Sequence, residues 1–215
     1  IPELVLWWVL EPTNLRQDRI KCCMDLFDSP GTLTSIPIED GALALMARLP
    51  LLYANDEILS RLLAETPWRQ DSIVLFGQRH LQPRLTAWYG DASYTYSGLR
   101  LDPLPWTPLL AEIRAAVETA CGVRFNSVLL NSYRNERDSR GMHSDDEPEL
   151  GPEPSIASLS YGATRSFVLR HKRNKRTVKL DLHDGSLLLM SGKLQSNWLH
   201  GINKSARAIG ARLNL

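Results

Sequence analysis

The side chains best suited to chemistry lie within residues 131–150, in the stretch NSYRNERDSRGMHSDDEPEL. His143 and Asp145 are two residues apart, which in an extended segment places both side chains on one side, where they can bind one metal ion. An HxD pair recurs often by chance, so a third ligand is needed, and His200 in NWLHGINK is the obvious candidate because it follows a predicted strand. Two histidines and one carboxylate leave three positions of an ion open, as in non-haem Fe(II) oxygenases, and zinc with a water is the alternative. The remaining histidines lack a carboxylate at this spacing and are predicted to be surface or turn residues: His80, His171 and His183.

A buried cation is predicted beside this candidate metal site. Arg212 and Asn214 alternate with leucines in the segment ARLNL, so both lie on one face of a predicted strand. An inward-facing arginine needs an anion, and a guanidinium matches a carboxylate in a bidentate fork. Asn131 and Tyr133 share a strand face just before the HxD segment and can add neutral hydrogen bonds. The pattern therefore predicts an organic acid bound beside the metal.

The elements that must position these residues are two helices followed by many short strands. The first helix is amphipathic, with Asn55 as its N-cap and Pro67 just beyond its end. In the second helix, Thr107 is the N-cap, Pro108 is the first helical residue and Gly122 follows the last. The predicted strands are 125–133, 156–161, 166–171, 177–182, 186–190 and 211–215. This order predicts an α+β protein with a double-stranded β-helix core of the jelly-roll or cupin-like kind, and with N-terminal helices packed on one side.

Composition is that of an ordinary folded domain. The 215 residues are 43% hydrophobic and 23% charged, and the formal net charge of +1 gives no bulk attraction to DNA or lipid. The longest apolar run near the start, 4–10, is too short to span a membrane. Three cysteines without CxxC spacing or a disulfide framework indicate a cytosolic protein. We expect residues 1–23 to be upstream sequence before a native start at Met24, and residues 24–215 to form a single domain.

Charge is nevertheless segregated along the chain. An acidic block runs from Asp145 to Glu153, whereas the segment from Arg165 to Lys179 contains seven lysines and arginines and no acid. Part of this segment, RHKRNKR, lies between two predicted strands and is expected at a hairpin tip. It is either a solvated loop or a contact for nucleic-acid phosphates.

From residue 67 to 215 the sequence resembles the AlkB-like Fe(II)/2-oxoglutarate-dependent dioxygenases, which repair alkylated nucleic acids. The resemblance rests on WRQ, PRLTAWYGD, YTYSG, FNSVLLNSY, HSDDEPEL, IASLSYGATRSFVLRHK, DGSLLLM, NWLHGI and RLNL. The bacterial and animal DNA-repair members share the YGD, YTYSG-like and HxDDE elements. Family members usually continue the last strand as RLNLTFR, with a second arginine, whereas this sequence stops at Leu215. This departure predicts either a fragment with a truncated last strand or weakened 2-oxoglutarate binding.

The resemblance also implies which residues form the site. The metal ligands, which are also the catalytic residues, correspond to His143, Asp145 and His200, and the 2-oxoglutarate contacts correspond to Asn131, Tyr133 and Arg212. The cofactors implied are Fe(II), 2-oxoglutarate and O2.

Five further residues match family positions that touch the substrate. Tyr94 and Tyr96 match residues that contact the flanking phosphate and stack on a flipped base, and a strand-surface pair is the alternative. Glu147 matches a carboxylate that reaches the base edge. Phe76 matches an apolar finger that fills the gap left by the flipped base, although a core position is equally compatible. Arg84 is expected to contact the nucleic-acid backbone.

The implied reaction is oxidative demethylation of N-alkylated bases in DNA, such as N1-methyladenine and N3-methylcytosine. The co-substrate is oxidised to succinate and CO2, and the hydroxylated methyl group leaves as formaldehyde. Two alternatives stay open: an RNA or protein demethylase or hydroxylase with the same iron site, and a non-catalytic nucleic-acid-binding jelly roll. We expect the partner to be alkylated DNA or RNA and not a membrane. The chain is expected to act as a monomer, in the cytoplasm of a bacterium or the nucleus of a eukaryote.

Overall fold

Strands dominate the chain after the second helix, as the short apolar runs between turns predict. The computed structural model describes residues 31–75, 78–91, 94–96 and 99–215. The strands are β1 (Thr34–Ile36), β2 (Ala42–Met46), β3 (Ser72–Leu75), β4 (Gln78–Leu81), β5 (Leu85–Gly90), β6 (Tyr94–Tyr96), β7 (Leu99–Leu101), β8 (Ser127–Tyr133), β9 (Arg140–His143), β10 (Ile156–Gly162), β11 (Arg165–His171), β12 (Thr177–Leu182), β13 (Leu187–Ser191), β14 (Trp198–Ile202) and β15 (Arg212–Asn214). The helices are α1 (Asn55–Glu65), α2 (Pro108–Cys121) and α3 (Leu194–Asn197), with a 3-10 turn at Pro148–Leu150.

Two antiparallel sheets hold most of these strands. The larger sheet has the order β1-β2-β13-β10-β15-β8-β5, and the smaller sheet has the order β12-β11-β14-β9. Between β8 and β15 every connection crosses from one sheet to the other, except the β11–β12 hairpin. This alternation is the double-stranded β-helix, and the predicted jelly-roll core is confirmed.

Apolar residues form two clusters, one on each face of the larger sheet. Helices α1 and α2 pack on the outer face, where Ile58 and Ile113 join Leu213 of β15. The second cluster lies between the sheets and contains Tyr133 of β8 with Trp198 of β14. Since side chains alternate along a strand, the neighbours of Leu213 face the space between the sheets. The helices therefore lie on one side, as predicted, and the polar side chains of β15 point into the jelly roll.

The two predicted helices form, with one correction at a helix start. Thr107 caps α2 by accepting a hydrogen bond from the Leu110 N–H at 3.2 Å, and Gly122 ends it at φ 66°, as predicted. The N-cap of α1 is Ala54, so the prediction of Asn55 was wrong. The Asn55 side chain instead donates from Nδ2 to Asp184 Oδ2 at 2.7 Å. Because its amide is engaged by this distant carboxylate, it does not cap the helix.

His171 corrects a second prediction. It was expected at the surface or in a turn, but it lies in β11 and only 1% of it is exposed. Its ring meets the edge of the Trp198 ring at 5.0 Å, and its Nε2 lies 3.3 Å from Asp40 Oδ2. Side chains alternate along β11, so His171 points inward on the same face as Leu169. This strand alternation decides its burial, although a polar turn follows it directly. His80 and His183 are exposed, as predicted.

Within the described ranges, no helix is both long and apolar enough to cross a membrane. The segment predicted to precede the native start, residues 1–23, lies outside the described residues, as do Met24 and Phe76. The division of the chain at Met24 therefore stays a prediction.

Candidate metal and co-substrate site

Neighbouring strands bring His143 and His200 together. His143 is the last residue of β9, and His200 lies directly opposite it in β14. The strands approach closely here, since a Cβ added to Gly201 would lie 2.8 Å from the Arg140 carbonyl oxygen. The two imidazole rings are 4.3 Å apart between centroids. Strand pairing thus unites two residues that are far apart in sequence.

Asp145 completes a compact set of three side chains. It lies beyond the end of β9, and its Oδ1 is 3.5 Å from His143 Nε2, whereas its Oδ2 is 3.3 Å from His200 Nε2. The ligand atoms of the three residues all lie within 4.8 Å of one another. This donor set of two imidazoles and one carboxylate fits a divalent transition metal such as Fe(II).

Hydrogen bonding selects the nitrogen of His143 that can bind a metal. Its Nδ1 lies 2.9 Å from the carbonyl oxygen of Gly141. Because a carbonyl can only accept, Nδ1 carries the proton and Nε2 keeps its lone pair. Burial lowers the pKa of His143, and the nearby Asp145 carboxylate offsets this only in part. The imidazole is therefore neutral near pH 7, which is the form that binds metals.

The carboxylate is held in its charged form. Burial by itself raises the pKa of Asp145, but its close contacts with His143 and His200 outweigh this and bring the pKa well below its usual range. A charged carboxylate enclosed between two imidazoles is a ready metal ligand. The group is therefore ionised at any pH at which the His143 imidazole is neutral.

A buried glutamine fixes the backbone of the metal-binding loop. Gln195 of α3 is 1% exposed, and its Oε1 accepts a hydrogen bond from the Asp145 N–H at 3.0 Å. Lys172 ties the same parts together, since its Nζ donates to the Gln195 carbonyl at 2.9 Å and to Asp146 Oδ2 at 3.1 Å. Neither contact was predicted, because nothing in the local sequence links residue 195 to residue 145.

We expect Gln195→Met to weaken metal binding about tenfold, because it leaves the Asp145 N–H unpaired and frees the loop; partners of metal ligands typically contribute 10- to 100-fold to affinity. Titration calorimetry with Co(II) measures the effect. The exposed neighbour Ser196 provides the control, Ser196→Ala, which should bind Co(II) like the wild type. Equal affinity in Gln195→Met would show that the glutamine only packs.

An enclosed arginine lies on the neighbouring strand β15. Arg212 is 1% exposed, and its Nη2 donates to Ser160 Oγ at 2.9 Å. Its Nε and Nη1 are buried and have no hydrogen-bond partner among the described residues. Burial lowers the pKa of Arg212 to about 10. Two unpaired donors on an enclosed cation fit the carboxylate of an organic acid such as 2-oxoglutarate.

The strand register places the predicted acid contacts together. Arg212 lies opposite Tyr133, and Asn214 lies opposite Asn131. The Arg212 guanidinium carbon is 5.2 Å from the centroid of the Tyr133 ring. Residues facing each other across an antiparallel pair share one face of the sheet. All four side chains therefore point toward the space between the sheets.

A cavity of about 230 Å³ borders both the metal-binding set and three residues of this row. Its walls include the three candidate metal ligands together with Asn131, Tyr133, Arg140, Ser158 and Asn214. The sequence analysis did not assign Ser158, whose Oγ accepts from Asn214 Nδ2 at 2.9 Å. Inward parity along β10 was the signal that could have found it.

Arg84 corrects the expected contact with a nucleic-acid backbone. It is 4% exposed, and its Nε donates to Asn131 Oδ1 at 2.8 Å. A guanidinium enclosed in this way cannot reach a phosphate on the surface. Its position orients the amide of Asn131, which lines the cavity. The hydrophilic motif QPR did not indicate that Arg84 is buried.

The other predicted substrate residues are placed as follows. Glu147 precedes the 3-10 turn that carries the cavity-lining Leu150, and its Oε2 is buried without a hydrogen-bond partner in the described part of the chain. Tyr94 and Tyr96 lie in β6, paired with β7. Phe76 lies outside the described residues.

The basic run does form a hairpin tip, between β11 and β12. Acidic neighbours engage part of its charge. Arg173 donates to Asp40 Oδ2 at 2.8 Å, and Lys172 donates to Asp146. Arg170 and Lys179 are exposed on the two strands, and they are left to face solvent.

Residues 53–215 match the family described as the 2OG-Fe(II) oxygenase superfamily. The chain is 44% identical over 170 residues to the alpha-ketoglutarate-dependent dioxygenase alkB homolog 3 of Homo sapiens, which covers 74% of this chain and 59% of that protein. It is 41% identical over 173 residues to the DNA oxidative demethylase ALKBH2 of Homo sapiens, covering 74% of this chain and 66% of that protein. The chain thus spans about three fifths of the first of these relatives.

The fold is also similar to that of solved structures. The structure of OsALKBH1 superposes with a TM-score of 0.58 at 16% sequence identity, covering 84% of this chain and 97% of that chain. At this identity the likeness supports the jelly-roll fold alone.

Proposed function

This chain belongs to the 2OG-Fe(II) oxygenase superfamily, and from that premise we propose that it is an oxidative demethylase of N-alkylated bases in DNA. The resemblance to the AlkB-like dioxygenases is confirmed, and the cofactors of the family are Fe(II), 2-oxoglutarate and O2. One observation supports the proposal: the His-Asp-His set lines the same cavity as Tyr133, and Arg212, whose Nε and Nη1 have no hydrogen-bond partner among the described residues, lies opposite Tyr133 in the sheet.

The residues take distinct parts in this proposal. His143, Asp145 and His200 hold Fe(II), whereas Arg212 and Tyr133 hold the far carboxylate of 2-oxoglutarate, with Asn131 alongside. Bound together, Fe(II), 2-oxoglutarate and O2 supply the oxidation of an N-methyl carbon, with succinate, CO2 and formaldehyde as products. The protein orients the acid and keeps the His143 imidazole neutral.

Recognition of the base is assigned to Tyr94, Tyr96 and Glu147, with Phe76 filling the gap in the duplex. N1-methyladenine and N3-methylcytosine are cations, so a carboxylate beside the base favours them over the neutral parent bases. The Oε2 of Glu147 supports this assignment, because it is buried, has no hydrogen-bond partner among the described residues and can accept a hydrogen bond from a bound base.

Glu147→Gln should lower kcat/KM for N1-methyladenine about tenfold more than for the neutral lesion N3-methylthymine, since a hydrogen bond to a charged group is worth about 1.5–3 kcal/mol. The substitution keeps the shape of the side chain and deletes its charge. Glu153→Gln, in the same acidic block, serves as the control. Equal losses on both lesions would assign lesion choice to geometry near the metal instead.

The exposed cations of the hairpin are proposed to contact phosphates. Arg170 and Lys179 carry this proposal, because Lys172 and Arg173 are engaged by carboxylates. We expect the double variant Arg170→Gln, Lys179→Gln to weaken binding to all duplex sequences alike. The salt dependence should fall by up to about 1.8, at 0.9 per lost contact. Lys204→Gln, in the exposed loop after β14, is the matched control. An unchanged salt slope in the double variant would mean that the hairpin is a solvated loop without phosphate contacts.

The choice of substrate class is tested by formaldehyde release from one methylated base presented in DNA, in RNA and as a methylated peptide. We expect the highest kcat/KM with DNA. Faster release from RNA would move the proposal to RNA demethylation, and tight oligonucleotide binding without release would leave a non-catalytic binding protein. Since one chain provides every proposed site residue, we also propose that it acts as a monomer, in a bacterial cytoplasm or a eukaryotic nucleus where DNA is found.

A further inference from the structure

His143 and His200 differ in what holds their imidazole rings. A metal-binding imidazole is normally oriented by a hydrogen bond from its second ring nitrogen. His143 follows this rule, since its Nδ1 lies 2.9 Å from the Gly141 carbonyl oxygen. The Nδ1 of His200 is buried and has no hydrogen-bond partner among the described residues. Another kind of contact must therefore orient the ring of His200.

The aromatic ring of Phe167 provides such a contact. It stacks on the His200 imidazole, with 5.3 Å between the ring centroids and 25° between the ring planes. Aromatic pairs at this separation attract each other beyond the burial of their surface. Phe167 is itself 6% exposed and belongs to the apolar cluster between the sheets. A ring held by the core thus lies against the face of the His200 ring and leaves its Nε2 edge free.

Strand pairing sets the two rings against each other. Phe167 of β11 lies opposite Ile202 of β14, and His200 lies opposite Leu169. Diagonal neighbours in an antiparallel pair share a face of the sheet and are within reach of aromatic side chains. The strand that brings His200 to His143 on one side therefore brings it to Phe167 on the other.

We propose that Phe167 is a positioning residue for the metal ligand His200, and that its aromatic face does what the hydrogen bond to Gly141 does for His143. The proposal rests on the proposed function, because it assigns His200 to the metal. The affinity for a divalent metal should then depend on the ring of Phe167 and not only on its apolar bulk. Phe167 also lines the cavity, so a contact with the bound acid is an outcome that the test distinguishes.

The test measures Co(II) binding to the whole chain by calorimetry, together with the visible ligand-field spectrum of the bound Co(II). Neither reading requires turnover. Phe167→Leu keeps an apolar side chain and removes the ring. We expect it to bind Co(II) about tenfold more weakly and with a changed spectrum, because partners of metal ligands typically contribute 10- to 100-fold to affinity. Phe167→Tyr keeps the ring and should restore both readings to near the wild-type values.

Leu180→Val controls for a weakened core. Leu180 lies opposite Phe167 in β12, is 1% exposed and belongs to the same apolar cluster. Shortening it should lower the melting temperature, because a buried methylene group is lost. The Co(II) affinity and spectrum should stay as in the wild type.

Three results would overturn the proposal. Wild-type Co(II) affinity and spectrum in Phe167→Leu would show that the ring only packs. An equal loss of affinity in Leu180→Val would show that a weaker core explains both variants. Unchanged Co(II) binding with weaker 2-oxoglutarate binding in Phe167→Leu would assign the ring to the acid. A failure of the proposed function looks different, since Co(II) binding then responds to Phe167 as expected, but the Fe(II)-loaded wild type releases no formaldehyde from any methylated substrate.

Discussion

Asp145→Ala is expected to abolish turnover and to weaken metal binding at least about a hundredfold, more than the 10- to 100-fold typical of residues that only support a ligand. The substitution removes the group that both imidazoles face, at 3.5 Å from His143 Nε2 and 3.3 Å from His200 Nε2. Asp145 belongs to neither apolar cluster. The fold should therefore survive, with a far-ultraviolet circular dichroism spectrum like that of the wild type.

Co(II) titration and formaldehyde release measure this prediction together. Asp181→Ala, at an exposed carboxylate in β12, is the matched control and should behave like the wild type. Stoichiometric metal binding and full activity in Asp145→Ala would show that Asp145 is not a metal ligand, whether or not the circular dichroism spectrum changes.

Arg212→Met is expected to have opposite effects on co-substrate binding and on stability. Losing one member of a buried ion pair costs about 3–5 kcal/mol, so the Kd for 2-oxoglutarate should rise at least a hundredfold. The same change removes an enclosed cation whose Nε and Nη1 have no partner in the part of the chain that the structure describes, and replacing such a group by an apolar side chain is often stabilising. The melting temperature of the protein without ligand should be unchanged or higher.

Calorimetry on the Mn(II)-loaded protein and a thermal melt without ligand give the two readings. Arg207→Met, at an exposed position before β15, is the control and should leave both unchanged. A variant that melts lower and binds 2-oxoglutarate normally would mean that Arg212 is a structural arginine and that another group holds the acid.

The sequence could predict the parts of the site that depend on strand parity. The spacing of His143 and Asp145, and the alternation around Arg212, are properties of the local chain. The double-stranded β-helix then follows from many short strands, and it sets His200 opposite His143. The ends of the strands shifted by one or two residues, because pairing partners decide where each strand stops.

Contacts between distant segments were not accessible to the same reasoning. Gln195 reaches Asp145 across 50 residues, and Arg84 reaches Asn131 across 47. His171 is turned inward by its strand although polar residues follow it. In each case the determining partner lies elsewhere in the fold, so neither composition nor periodicity carries the information.

The measurement that tests the central claim most directly is the stoichiometry of products from a DNA oligonucleotide that contains one N1-methyladenine. The Fe(II)-loaded chain should release formaldehyde and succinate in a ratio of about one to one, only with O2 present, and should restore unmodified adenine. Asp145→Ala should release neither product. Succinate formed at the same rate with and without the lesion, and no formaldehyde, would contradict the account, because the oxidation would then not be directed at the alkylated base.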